Sequence, residues 1–80
     1  MSFSTRNKTV ALATNVAISE DELVVSLADG RTITVPIEWF PRLRDASPES
    51  RQNWRIIGGG IGIRWEDIDE DLHVPSLLVA

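Results

Sequence analysis

The chain has no cysteine and no tyrosine, and its 80 residues include a single histidine and a single methionine. Without cysteine there can be no disulfide framework, no thiolate zinc site and no cysteine nucleophile. One histidine leaves little from which to build a general base or a metal cage. Long apolar runs are missing too. The first stretch, MSFSTRNKTVALATNVAIS, has two basic residues, but Thr14 and Asn15 interrupt its apolar part, and what remains is too short for a signal or membrane segment. A cytoplasmic protein without membrane association is expected.

Positive charge is the scarcer sign: eight Lys and Arg stand against twelve Asp and Glu, for a net charge of −4. Nonspecific nucleic-acid binding depends on neutralising phosphates with cations, so this balance argues against it. A chain this short buries about 60 to 65% of its unfolded surface, which leaves no room for a large active-site cavity. With 42% apolar and only 25% charged residues, it is nonetheless too hydrophobic to stay disordered.

Residues 1 to 8 are polar, and a frayed terminus is expected there. Val10, Leu12, Val16 and Ile18 then suggest an extended segment with a bend at Thr14-Asn15. The clearest element is a hairpin over 23–37 around Asp29-Gly30. A two-residue loop would mix its apolar and polar faces. A three-residue loop, Ala28-Asp29-Gly30 with Gly30 left-handed, sets Leu27 opposite Arg31, Val25 opposite Ile33 and Leu23 opposite Val35, giving one apolar face. Pro36 cannot donate to a ladder and should end that strand or lie on an edge.

The period then changes: Trp39, Phe40, Leu43 and Ala46 predict a short helix near 38–46, with Pro41 in its first turn. Ser47-Pro48-Glu49 predicts a second, with Ser47 as N-cap and Pro48 at its first position, running to about Asn53. Trp54–Ile57 and Ile61–Trp65 flank Gly58-Gly59-Gly60 as a final hairpin or bulged strand, with Ile61, Ile63 and Trp65 on one face. Asp69 or Asp71 would cap a last helical turn containing Pro75 and ending at Leu77-Leu78. No repeat or linker interrupts the chain. The fold class expected is α+β: one domain over 1–80, with a small antiparallel sheet built from hairpins and two or three short helices packed on it.

Residues 64 to 74, RWEDIDEDLHV, place five carboxylates in six positions with the only histidine, His73, just beyond. Asp67, Asp69 and Asp71 match the first three ligand positions of a calcium-binding EF-hand loop. Leu72 then stands where that loop needs glycine, and Leu78 where it needs glutamate, so a solvated acidic turn explains the run better. His73 has too few partners for catalysis to be expected. The glycine run lacks both the dinucleotide fingerprint and the Gly-Lys-Ser/Thr of a phosphate loop. No catalytic residue, cofactor or metal is assigned.

Arg42, Arg44, Arg51 and Arg55, with Trp39 and Trp54 nearby, form the basic, aromatic-rich region. Arginine and tryptophan are enriched at interface hot spots, which makes this a candidate partner-binding face. Equally, both tryptophans could be core and the arginines could merely solvate two helices. The candidate partner-binding residues are Trp39, Arg42, Arg44, Arg51, Arg55, Arg64, Glu66, Asp67, Asp69, Glu70 and Asp71. A basic middle and an acidic end could also pair within a homodimer.

LADGRTITVPIEWFPRL, SPESRQNW and GIGIRWEDIDEDLHVPSLL resemble, in order and spacing, the small bacterial proteins of the domain-of-unknown-function family 2442, over roughly residues 10 to 79. The chain departs from the family pattern at Arg64, where members often have histidine, and at Glu66, where they often have proline. No role attached to that histidine is carried over. The resemblance implies a compact α+β domain and, because such members are commonly proposed to be antitoxins of toxin–antitoxin pairs, a protein partner encoded by a neighbouring gene. The expectation is therefore a non-enzymatic protein-interaction domain, antitoxin-like or regulatory. Its rivals are a DNA-associated regulator using the arginines from 42 to 55, an inhibitor mimicking nucleic acid with Glu66 to Asp71, and a cation-dependent enzyme or sensor.

Overall fold

The computed structural model describes residues 11–79; the expectation of a frayed segment at 1–8 lies outside them. Two three-stranded antiparallel sheets carry the architecture, in the orders β1-β2-β3 and β4-β5-β6. The first comprises β1 (Ala13–Ile18), β2 (Glu22–Leu27) and β3 (Thr32–Pro36). Its hairpin has the register that keeps one face apolar: Val25 is opposite Ile33 and Leu23 opposite Val35. The three-residue turn closes with Leu27 N–H donating to the Arg31 carbonyl at 2.8 Å, and Gly30 takes φ +96°, a conformation that costs glycine little. The bend expected at Thr14-Asn15 is a register shift between Ala13 and Asn15, the signature of a bulge.

The helix expected over 38–46 is two pieces. A 3-10 turn, Ile37–Trp39, ends at Phe40, and α1 begins afresh at Pro41 and runs to Arg44. Phe40 has φ −126° and ψ 84°. Proline crowds the residue before it out of helical space, so Pro41 opens a helix here and cannot sit within one that began earlier. The next helix, α2 (Pro48–Gln52), is as expected: Ser47 caps it by accepting from the Ser50 N–H.

The second sheet pairs β4 (Trp54–Ile57), β5 (Gly62–Trp65) and β6 (Glu70–His73). The expected final hairpin is present, with a strand added. Neither Asp69 nor Asp71 caps the last helical turn, which starts at Val74; Asp69 instead closes a 3-10 turn over Glu66–Ile68, its N–H donating to the Glu66 carbonyl at 3.3 Å. Asp69 turns the chain in the left-handed conformation, φ 52° and ψ 50°, which aspartate tolerates better than most residues. Asp71 lies within β6, opposite Arg64. The residues Glu70 to His73 alternate, with Leu72 buried between exposed Asp71 and His73, and this period of two fits a strand completing the edge of β5. Ile63 and Trp65 are buried as expected, while Ile61 belongs to the turn before the strand. The last helical turn does form, as a 3-10 segment over Val74–Val79.

One core unites the two sheets: Leu23, Val25, Val35 and Leu43 cluster with Ile63, Trp65, Leu72 and Val74. Trp65 is fully buried and is the largest side chain in it. Gly60 lets the glycine turn lie directly against Leu12 and Ala13, where a Cβ would come within 2.9 Å of the Leu12 Cβ. Among the described residues no helix is long and apolar enough to cross a membrane.

Candidate interaction surface

The charged residues of the second sheet are ordered by its register. Arg55 on β4 and Asp71 on β6 are the partners of Arg64 on β5, so strand geometry sets all three side chains in one row, on the face opposite Ile63 and Trp65. The Arg64 side chain, 23% exposed, pairs with Glu66 at 3.3 Å and with Asp69 and Asp71 at 2.8 Å each. Arg55 Nε donates to Glu66 at 3.0 Å. These contacts tune the acids they touch. The Arg55 guanidinium, with help from Arg64, holds the Glu66 carboxyl below its ordinary range, and Arg64 does the same for Asp69. In return Asp71 first, then Asp69, raise Arg64 further above its ordinary value.

Asp67 and Arg42 tie the short helices to the turn after β5, and the other candidate residues make contacts elsewhere. Asp67 accepts from Ser50 Oγ at 3.2 Å and from Asn53 Nδ2 at 3.1 Å, which fastens α2 to the turn after β5. Arg42 Nη1 donates to the carbonyls of Ile68 at 3.1 Å and Asp69 at 3.3 Å. Arg51 reaches three carbonyls: Leu43 at 3.0 Å, Arg44 at 2.6 Å and Ser19 at 3.3 Å. The first two are at the C-terminal end of α1, where carbonyls lack intrahelical partners and a guanidinium satisfies them. Arg44 pairs with Asp45 at 3.0 Å and holds that carboxyl below its ordinary range. Glu70, half-buried, is opposite Trp65.

The arginines from 42 to 55 are therefore each taken up by a different acceptor within the chain. Of the tryptophans near them, Trp54 packs against the core, while Trp39 is 52% exposed. Its frame is fixed on both sides. Ile37 is buried and its N–H donates to the Asp21 carbonyl at 2.8 Å, the Phe40 N–H returns to the Ile37 carbonyl at 2.9 Å, and Leu43 is fully buried just beyond. The turn thus presents a large amphipathic ring on a rigid mount.

His73 Nδ1 lies 2.8 Å from Ser76 Oγ, a contact that braces the turn at the start of the 3-10 segment. Among the described residues no pocket forms and no group of three His, Asp or Glu residues is placed to hold a metal ion.

The family model described as "Protein of unknown function (DUF2442)" matches residues 13–80. The chain belongs to this family. The DUF2442 match takes in both sheets, Trp39 and the whole charged network. A solved structure agrees with the fold: a protein of unknown function from Rhodospirillum rubrum superposes with a TM-score of 0.76 at 29% identity, over 89% of this chain and 88% of that one. No curated protein matches the chain.

Ser50 and Asn53, which hold Asp67, were not legible in the sequence as part of this DUF2442 network. They lie 17 and 14 positions away, and nothing in their local spacing marks them as partners. Asp21 was equally hidden: its carbonyl fixes the Trp39 turn through a contact between two separate loops.

Proposed function

We propose that this DUF2442 protein is a non-enzymatic protein-interaction domain, antitoxin-like in that it binds and restrains a partner encoded by a neighbouring gene. The observation that carries the reading is Trp39: a tryptophan 52% exposed on a turn whose neighbours Ile37 and Leu43 are buried. Leaving so large a ring in water forgoes much of the burial energy it could contribute to a small core, and tryptophan is among the residues most enriched at binding hot spots. The acidic balance supports a partner of opposite charge, since complementary charge raises association rates. Protein is favoured over nucleic acid because the guanidinium groups of Arg42, Arg51 and Arg55 are already bonded within the chain. Likewise, a surface mimicking nucleic acid would need free carboxylates where Arg55 and Arg64 neutralise Glu66, Asp69 and Asp71.

The test is co-expression with the product of the neighbouring gene, followed by size-exclusion chromatography. A co-eluting complex, with relief of any growth defect the neighbour causes alone, is expected. Separate elution with no relief would remove the reading.

A further inference from the structure

The charge that is left over once the internal pairs are made is not spread evenly. Asp29 pairs with Arg31, Asp45 with Arg44, and Glu66, Asp69 and Asp71 with Arg64, while Asp67 is held by Ser50 and Asn53. The carboxylates without an ion pair or side-chain hydrogen bond among the described residues include Glu20, Asp21, Glu22 and Glu38, all of them exposed. Backbone contacts bring these four to one end of the first sheet. Asp21 receives the Ile37 N–H and Glu22 is the register partner of Pro36, so the β1–β2 turn lies beside the Pro36-Ile37-Glu38-Trp39 segment. Two guanidinium groups lie near this end, and both are spent within the chain: Arg44 on Asp45, and Arg51 on the carbonyls of Leu43, Arg44 and, at 3.3 Å, Ser19.

The exposed Trp39 thus stands at the same end of the sheet as four unpaired carboxylates, while most of the other acids are neutralised or bonded. We propose that this end is the docking surface and that its occupant is a cationic segment of a partner protein, an apolar side chain flanked by Lys or Arg. The apolar residue covers the indole. A flanking cation meets the ring face, where cation–π attraction operates, and the others meet the carboxylates. The chemistry of both components selects the same ligand: the ring rewards apolar contact and cations, and the rim rejects an acidic segment. The proposal rests on the interaction-domain reading and specifies which surface serves it.

The experiment uses the full chain and an array of twelve-residue peptides with formal charge ranging from −6 to +6, half of them carrying central Leu or Phe. The tightest cationic binder is then titrated into ¹⁵N-labelled protein. Expected are a preference for cationic peptides with an apolar centre, and shifts at the Trp39 indole N–H and at residues 20–22 and 36–39. Trp39→Ala and the pair Asp21→Lys/Glu38→Lys should each weaken binding roughly tenfold or more, as hot-spot truncation does, with Glu49→Lys neutral. Folding of each variant is read from its spectrum, and Trp39→Gln, which also removes the ring, serves if Trp39→Ala is perturbed. No cationic preference, shifts confined to the β5–β6 turn, or undiminished binding by Trp39→Ala would each overturn the surface. The interaction-domain reading fails separately, when co-expression yields no complex. A complex retained by Trp39→Ala would instead keep that reading and move the surface elsewhere.

Discussion

The buried indole of Trp65 donates through Nε1 to the backbone carbonyl of Arg51 at 2.9 Å, while the Arg51 guanidinium reaches out to Leu43, Arg44 and Ser19. Residue 51 is thus held from the sheet side through its backbone and holds α1 and the β1–β2 turn through its side chain. Two helices of four and five residues are far too short to persist alone. Bonds of this kind decide where they stand.

Arg51→Ala should destabilise the fold by about 2 kcal/mol, the scale of losing charge-assisted hydrogen bonds to carbonyls that then lack partners. Arg51→Lys should recover only part of it, because an ammonium cannot span the same fork. Urea unfolding followed by tryptophan fluorescence measures both.

Trp65→Ala should cost about 3 to 5 kcal/mol through the cavity it leaves, enough to threaten folding of a domain this small. Trp39→Ala should cost under about 1 kcal/mol, because its ring is half in water. Thermal unfolding by circular dichroism separates them, and comparable losses would refute the contrast.

Acid should weaken the fold, in part through the ion pairs of the second sheet. Glu66 and Asp69 titrate below their ordinary values of 4.5 and 3.8 when folded, so the unfolded chain binds protons more readily. Their contribution is complete above those ordinary values and is lost as pH falls through the lower, folded ones. Unfolding midpoints in urea should drop below about pH 4.5. The drop should be smaller in 1 M salt and in Arg64→Met. An unchanged acid limb in Arg64→Met would show that the network does not govern it.

The glycine turn offers a comparison free of charge effects. Gly60→Ala places a methyl within 2.9 to 3.1 Å of Leu12 Cβ and the Ala13 backbone at φ +112°, and should cost more than about 2 kcal/mol. Gly59→Ala, at φ +68° in open space, should cost only about 1 kcal/mol, the left-handed penalty alone. Chemical denaturation of the two variants checks the order.

Local chemistry explains what could be read ahead of the structure. Alternation fixed the Leu23–Val35 register, and Ser47-Pro48 announced α2, because both signals act within a few residues. The periodicity of Trp39, Phe40 and Leu43 points to one helix, but it spans Pro41, whose effect on Phe40 outweighs it. The acidic run resembles a helix cap because its charges conceal the alternation of Glu70 to His73, and the edge of β5 that receives it is a tertiary feature. The partner candidates fared similarly. Composition marked out the arginines and carboxylates, but which of them cancel one another depends on sheet register and on contacts 14 or more positions apart.

The central claim is a division of labour, with Asp67 and its neighbours holding the fold and Trp39 meeting a partner. Calorimetric titration of the neighbouring gene's product into Trp39→Ala and Asp67→Asn, side by side with the parent chain, tests it most directly. The account predicts roughly tenfold weaker binding for Trp39→Ala and parental affinity for Asp67→Asn in spite of a lower melting temperature. Parental affinity for Trp39→Ala together with lost binding for a folded Asp67→Asn would contradict it.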